Sequence, residues 1–242
     1  MIEKGRFEMC MKLIKSTRRL VIVTDSLGCP REETVVDNTW TDKIIKEFSS
    51  GDIYFYTVCK HGQSFSNVPI EYILELDPDI VVIQIGVVDA CRRVMGRWLG
   101  MLVAHIPIIS SAVHKLAHRF HYSITKYVNI HMASKAVVRQ KCLRLLNNTK
   151  AKFVFIAIAP ASSIMNNTVY SFSPDVDDYN NVLKDLAELF SDRVRYINPY
   201  KEVKCTDDLF IKDGHHLSEY GISLVSRAVK GELNDLLGDF IR

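Results

Sequence analysis

The chain has 242 residues, 48% of them hydrophobic, which suits one α/β domain over residues 1–242 better than two small ones. Its six cysteines, at 10, 29, 59, 91, 142 and 205, form no C-x-x-C pair and no His/Cys cluster at zinc-ligand spacing, so a reduced chain without metal or cofactor is expected. The net charge of +3 hides an asymmetry: twelve basic residues and no acidic one lie between Asp89 and Asp175, leaving 19 basic against 28 acidic, or −9, for the rest. One region should therefore attract anions, while the absence of any recognition motif argues against a nucleic-acid partner.

From the amino end, MIEKGRFEMCMKLIKSTRR mixes charges and lacks the apolar run of a secretory signal, so cytoplasmic placement is expected. The run LVIVT (20–24) reads as a buried strand and leads into Asp25, Ser26, Leu27 and Gly28. Trp40, Ile44, Ile45 and Phe48 follow at helical spacing, ending at Gly51. The strand IYFYTV (53–58) precedes KHGQSF, which holds Gly62, and Ile70, Ile73 and Leu74 make a short helix beside Pro69. A third strand, IVVIQI (80–85), runs into Gly86, Val87, Val88 and Asp89.

The stretch at about 98–149 is long and basic and reads as two inserted helices. Its opening, WLGMLVAHIPIISSAV, is apolar for sixteen residues but contains His105 and Pro107, and it is short of the roughly 20 residues that cross a bilayer. A buried or lid helix is expected, with peripheral membrane or oligomer contact as the alternative. The pattern resumes with FVFIAI (153–158), a helix through Val176 to Phe190 opened by Ser173 and Pro174, VRYI (194–197), and a last helix at 218–238. These five apolar runs read as strands buried on both faces, and their alternation with helices predicts a three-layer α/β/α sandwich around a flavodoxin-like, five-stranded parallel sheet, with a helical insertion after the third strand.

In such sheets ligands gather at the carboxyl ends of the strands, which is where Asp25 and Ser26 fall. A strand-end serine is often only a helix cap. The motif DGHHLS (213–218) supplies a second element, because Asp213 and His216 stand three apart in a tight loop. A serine hydroxyl becomes nucleophilic when a base takes its proton, and a carboxylate fixes the tautomer of that base. His215 is the neighbouring candidate, but the D-x-x-H spacing favours His216. The simpler alternative is a loop that caps the last helix.

A D-S-L turn after the first strand, a G-x-x-D after the third and D-G-x-H-L-S before the final helix resemble, in order and place, the sequence blocks of the SGNH (GDSL-like) hydrolases. The resemblance covers essentially the whole chain. It implies Ser26 as nucleophile, His216 as general base and Asp213 as its orienting acid, with the N–H groups of Ser26 and Gly62 forming an oxyanion hole. One departure stands out: the third block normally reads G-x-N-D, and Val88 occupies the place of the oxyanion-binding Asn. Losing such a donor costs roughly 10²- to 10³-fold in rate, unless Arg92, Arg93, Gln63 or Asn67 replaces it. The G-V-V-D pattern followed by Arg resembles a branch of proteins from bacterial surface-polysaccharide clusters.

Arg31, Asp89, Arg92 and Arg93 lie on loops expected at the same face and are candidate substrate-binding residues, the arginines for a carboxylate or phosphate. The expected function is a serine esterase or O-acyltransferase acting on a carbohydrate ester, most plainly an O-acetyl group, with a glycan, neutral or anionic, as partner. The alternative is a weak or inactive member of the fold that binds an anionic glycan or membrane surface. A flavodoxin-like nucleotide module fits less well, since the first turn lacks a Gly-rich phosphate loop.

Overall fold

The computed structural model describes residues 18–30, 38–49, 52–96, 105, 115–117 and 119–238. Arg31 and most of the apolar opening of the insertion lie outside these residues.

Five strands form one parallel sheet in the order β2-β1-β3-β4-β5, with β1 Arg18–Thr24, β2 Ile53–Cys59, β3 Ile80–Gln84, β4 Lys152–Ile156 and β5 Val194–Ile197. The helices are α1 Trp40–Phe48, α2 Ile70–Glu75, α3 Val87–Ala90, α4 His121–Tyr127, α5 Lys135–Asn148, α6 Ser163–Thr168, α7 Phe172–Leu189 and α8 Glu219–Gly238. Both α4 and α5 fall within the expected insertion.

Because successive side chains point to opposite faces of a strand, β1 feeds two cores. Leu20 and Ile22 pack with Trp40, Ile44, Val225 and Val229 from α1 and α8. Val21 and Val23 pack with Ile73, Leu145, Leu146, Leu183 and Leu186 from α2, α5 and α7. These two covered faces explain why the central strands read as unbroken apolar runs. The expected α/β/α layering and parallel sheet are therefore present.

Three expectations need correction. First, β2 is an edge strand whose residues are only half-buried or exposed, so it is not covered on both faces. Second, α7 begins at Phe172 after Ser171, with Pro174 inside the first turn, so Ser173 is not its cap. Third, the chain is not fully reduced, because Cys29 and Cys59 form a disulfide with Cα atoms 5.9 Å apart. Their adjacency arises from tertiary structure: in the parallel register Thr24 pairs with Cys59, bringing the turn after β1 beside the end of β2. Cys91, Cys142 and Cys205 are free thiols. No helix among the described residues is long and apolar enough to cross a membrane.

Candidate active site

The order reversal at β1 and β3 opens the crevice in which such sheets bind ligands. There the chain leaves β1 in a turn held by its own first residue: the Leu27 N–H donates to Asp25 Oδ1 at 2.9 Å, and the Gly28 N–H to the Asp25 carbonyl at 3.2 Å. This turn leaves Ser26 half-buried while Asp25 and Leu27 are buried.

Asp25 is fully buried, and its Oδ2 meets no hydrogen-bond partner among the described residues. Burial pushes its carboxyl up to about 7, against the Leu27 N–H that favours the anion and with help from the nearby charge of Asp89. The folded protein thus holds this proton to about pH 7, whereas an unfolded carboxyl releases it near its ordinary value of 3.8. Folding takes up a proton between these values, so this group's contribution falls as pH rises from about 4 to about 7. The loss is on the order of 4 kcal/mol at 1.36 kcal/mol per unit. Asp25→Asn should therefore be less stable than wild type by a smaller margin, or more stable, at pH 8 than at pH 5 in urea denaturation. Equal differences at the two pH values would contradict it.

Next to Ser26 lies the loop before α8. His216 Nε2 is 3.1 Å from Ser26 Oγ, and His216 Nδ1 is 2.6 Å from Asp213 Oδ2. Asp213 Oδ1 accepts the backbone N–H groups of His215 and His216, each at 3.0 Å. Burial raises the Asp213 carboxyl, but these two N–H groups and the His216 imidazole outweigh it and hold the carboxyl at about 2. The turn requires Gly214, which has φ +75°, and an added Cβ there would lie 2.7 Å from Ile164 Cβ. From the other side, the buried Ser162 donates its hydroxyl to the Gly214 carbonyl at 2.5 Å while accepting the Met165 N–H at the start of α6. This brace between the β4 loop and the His216 loop went unread in the sequence, where the serines of APASS look like an ordinary loop.

Gly62, the other expected oxyanion donor, sits after β2 at φ +68°, a conformation that favours glycine. Among the described residues neither the Ser26 nor the Gly62 N–H meets an acceptor within the protein. The chain just beyond Gly62 is fixed from below: Asp89 accepts the Ser64 hydroxyl and, at 2.9 Å, the Phe65 N–H. A reciprocal Ser64 and Asn67 capping box closes the same turn. Its S-x-x-N spacing is visible in the sequence and could have been read.

These contacts revise several expectations. Asp89 has no exposed surface, so it anchors the Gly62 loop rather than binding substrate. Arg92 is paired bidentately with Asp175, at 2.7 and 3.1 Å, and lies over the Tyr170 ring, so its guanidinium fixes the β3 loop to α7. Arg93 is half-buried; its N–H bonds the Ile130 carbonyl at 2.7 Å, and its charge lies near Asp89. Of the residues considered as substitutes for the missing donor, Gln63 spends its amide on the Ser64 carbonyl and Asn67 Oδ1. Val88 itself is half-buried in α3 and offers no donor.

Asp213, His215 and His216 bring one carboxylate oxygen and two imidazole nitrogens within 4.8 Å of one another, a spacing a metal could use. In this structure the His216 nitrogens face Asp213 and Ser26, an arrangement that suits proton transfer.

No family model and no curated protein matches the sequence, but solved structures match its fold. A lipase/acylhydrolase from Enterococcus faecalis aligns with a TM-score of 0.61 at 16% identity, over 89% of this chain and 97% of that one. A carbohydrate acetylesterase family member from Sinorhizobium meliloti aligns with 0.57 at 12% identity, over 92% and 100% of the two chains. A variant of an acetyl xylan esterase from Geobacillus stearothermophilus gives 0.56 at 15%, over 88% and 92%. At these identities the likeness carries the fold alone: the chain shares with these structures a five-stranded parallel sheet between helical layers.

Proposed function

We propose that this protein is a serine esterase or O-acyltransferase acting on an acyl ester of a carbohydrate, with acetyl as the acyl group. The observation that carries the reading is the continuous relay from Ser26 Oγ to His216 Nε2 at 3.1 Å and from His216 Nδ1 to Asp213 at 2.6 Å. Ser26 Oγ attacks the ester carbonyl as its proton passes to His216 Nε2. The low-lying Asp213 carboxyl stays ionised and stabilises the imidazolium. The N–H groups of Ser26 and Gly62 take the charge that develops on the carbonyl oxygen. The tetrahedral adduct then expels the sugar oxygen, which takes the proton from His216, leaving an acyl-serine. Water completes hydrolysis, whereas a second sugar hydroxyl completes transfer.

Three of the similar structures are named for carbohydrate acetylesterase or acetyl xylan esterase activity, which supports the substrate class. An acidic glycan suits Lys115, Arg119 and Lys126, exposed on a segment without acidic residues. The G-V-V-D resemblance supports a role in surface-polysaccharide biosynthesis, in peripheral contact with the membrane. Arg31 and Arg93 remain the proposed substrate contacts. A second reading, a binding protein of the same fold, is favoured by Val88 alone.

p-Nitrophenyl acetate turnover should fall to background in Ser26→Ala, and an acidic oligosaccharide added as acceptor should become acetylated if the protein is a transferase. Equal rates for wild type and Ser26→Ala would favour the binding protein.

A further inference from the structure

The two loops that carry the proposed oxyanion donors are joined covalently. Cys29 lies three residues after Ser26, and Cys59 three residues before Gly62. Apart from this bond, the Gly62 loop is held at its two flanks and closed by one turn bond of its own, from the Gln63 N–H to the Lys60 carbonyl at 3.0 Å. Behind it, the Lys60 N–H donates to the Thr24 carbonyl at 3.3 Å; ahead of it, Ser64 and Phe65 are tied to Asp89. Lys60, His61 and Gly62 are exposed and follow directly on β2, the edge strand of the sheet. An edge strand has a neighbour on one side only, so the end of β2 has less to hold it than the end of β1.

We infer that the Cys29–Cys59 disulfide is a positioning clamp, sensitive to thiols, that holds the Gly62 N–H in register with the Ser26 N–H. The inference rests on the esterase reading above. With Val88 in the third donor's place, two backbone N–H groups carry the whole oxyanion, and misplacement by about 1 Å can cost on the order of 10²-fold in rate. The sulfurs differ in access: Cys29 is 4% exposed, while Cys59 stands at the surface. A thiolate reductant attacks Cys59 Sγ and displaces Cys29 as a thiolate. A second thiol of the reductant then resolves the mixed disulfide. The protein gains two electrons and two protons, and the reductant leaves as its own disulfide. Opening the bond frees the exposed loop without touching Ser26, His216 or Asp213, so it should act on kcat more than on KM.

The test is p-nitrophenyl acetate kinetics on the full chain, oxidised, after dithiothreitol, and after reoxidation, with iodoacetamide labelling and mass measurement to count thiols in each state. Reduction should expose two additional thiols and lower kcat about 10- to 100-fold, with KM within about twofold and activity regained on reoxidation. The double variant Cys29→Ala/Cys59→Ala should match the reduced enzyme and ignore dithiothreitol, while Cys205→Ala should respond like wild type. If the double variant does not fold, the reversible wild-type cycle still decides. Alkylation of Cys59 without reductant, or a kcat unchanged by reduction in an enzyme that needs Ser26, overturns the clamp alone. Turnover indifferent to Ser26→Ala overturns the esterase reading and the clamp with it.

Discussion

Asp213→Asn is expected to lower kcat for ester turnover by about 10⁴-fold, with KM nearly unchanged. Asp213 accepts three N–H groups: those of the His215 and His216 backbone and that of His216 Nδ1. An amide keeps one oxygen for the backbone and turns its NH₂ toward Nδ1. That nitrogen must then accept, the ring proton moves to Nε2, and Nε2 can no longer take a proton from Ser26 Oγ. The backbone contacts can persist, so the change reads out in catalysis more than in folding. The pH dependence separates Asp213 from the imidazole. With its carboxyl held at about 2, Asp213 stays ionised across the working range, and the acid limb of the wild-type profile is not its own. The stabilisation linked to its depressed value is present above the ordinary 3.8 and is lost as pH falls through about 2. Asp213→Asn should therefore be less stable than wild type at pH 7 and no worse near pH 2. A kcat loss below tenfold would mean that His216 does not depend on this carboxylate.

Val88→Asn is expected to raise kcat by up to about 10²-fold, the scale of one oxyanion donor. The residue begins α3 with Val87, behind Gly86 at φ +128° and ahead of the buried Asp89 that secures the Gly62 loop. The frame that would present an amide is thus in place. The nearby alternatives are committed elsewhere, Gln63 to its own turn and Arg92 to Asp175. Val88→Ala serves as the control, since it changes size without adding a donor. If the Asn and Ala variants turn over p-nitrophenyl acetate at one rate, the site does not lack a donor at this position.

The strands and most helices were legible in the sequence because each depends on local pattern. Continuous β-branched runs marked β1, β3 and β4, and the 3.6-residue spacing of Trp40, Ile44 and Phe48 marked α1. Ser26, Asp213 and His216 were legible as a motif, since the D-x-x-H spacing is local and the strand-end serine follows from the fold class. Their meeting across 190 residues follows once the strands run parallel and their carboxyl ends share one edge.

Partnership across the chain was not legible. Arg92 and Arg93 are adjacent and alike in sequence, yet it is Arg92 that pairs with Asp175, 83 residues away. Asp89 looked like a surface carboxylate until the packing buried it beneath Ser64 and Phe65. Cys29 and Cys59 carry no spacing signal, because their approach depends on β2 taking the edge beside β1. Periodicity records how much of each residue is covered. Which groups meet under that cover depends on strand order and helix placement, which only the folded chain decides.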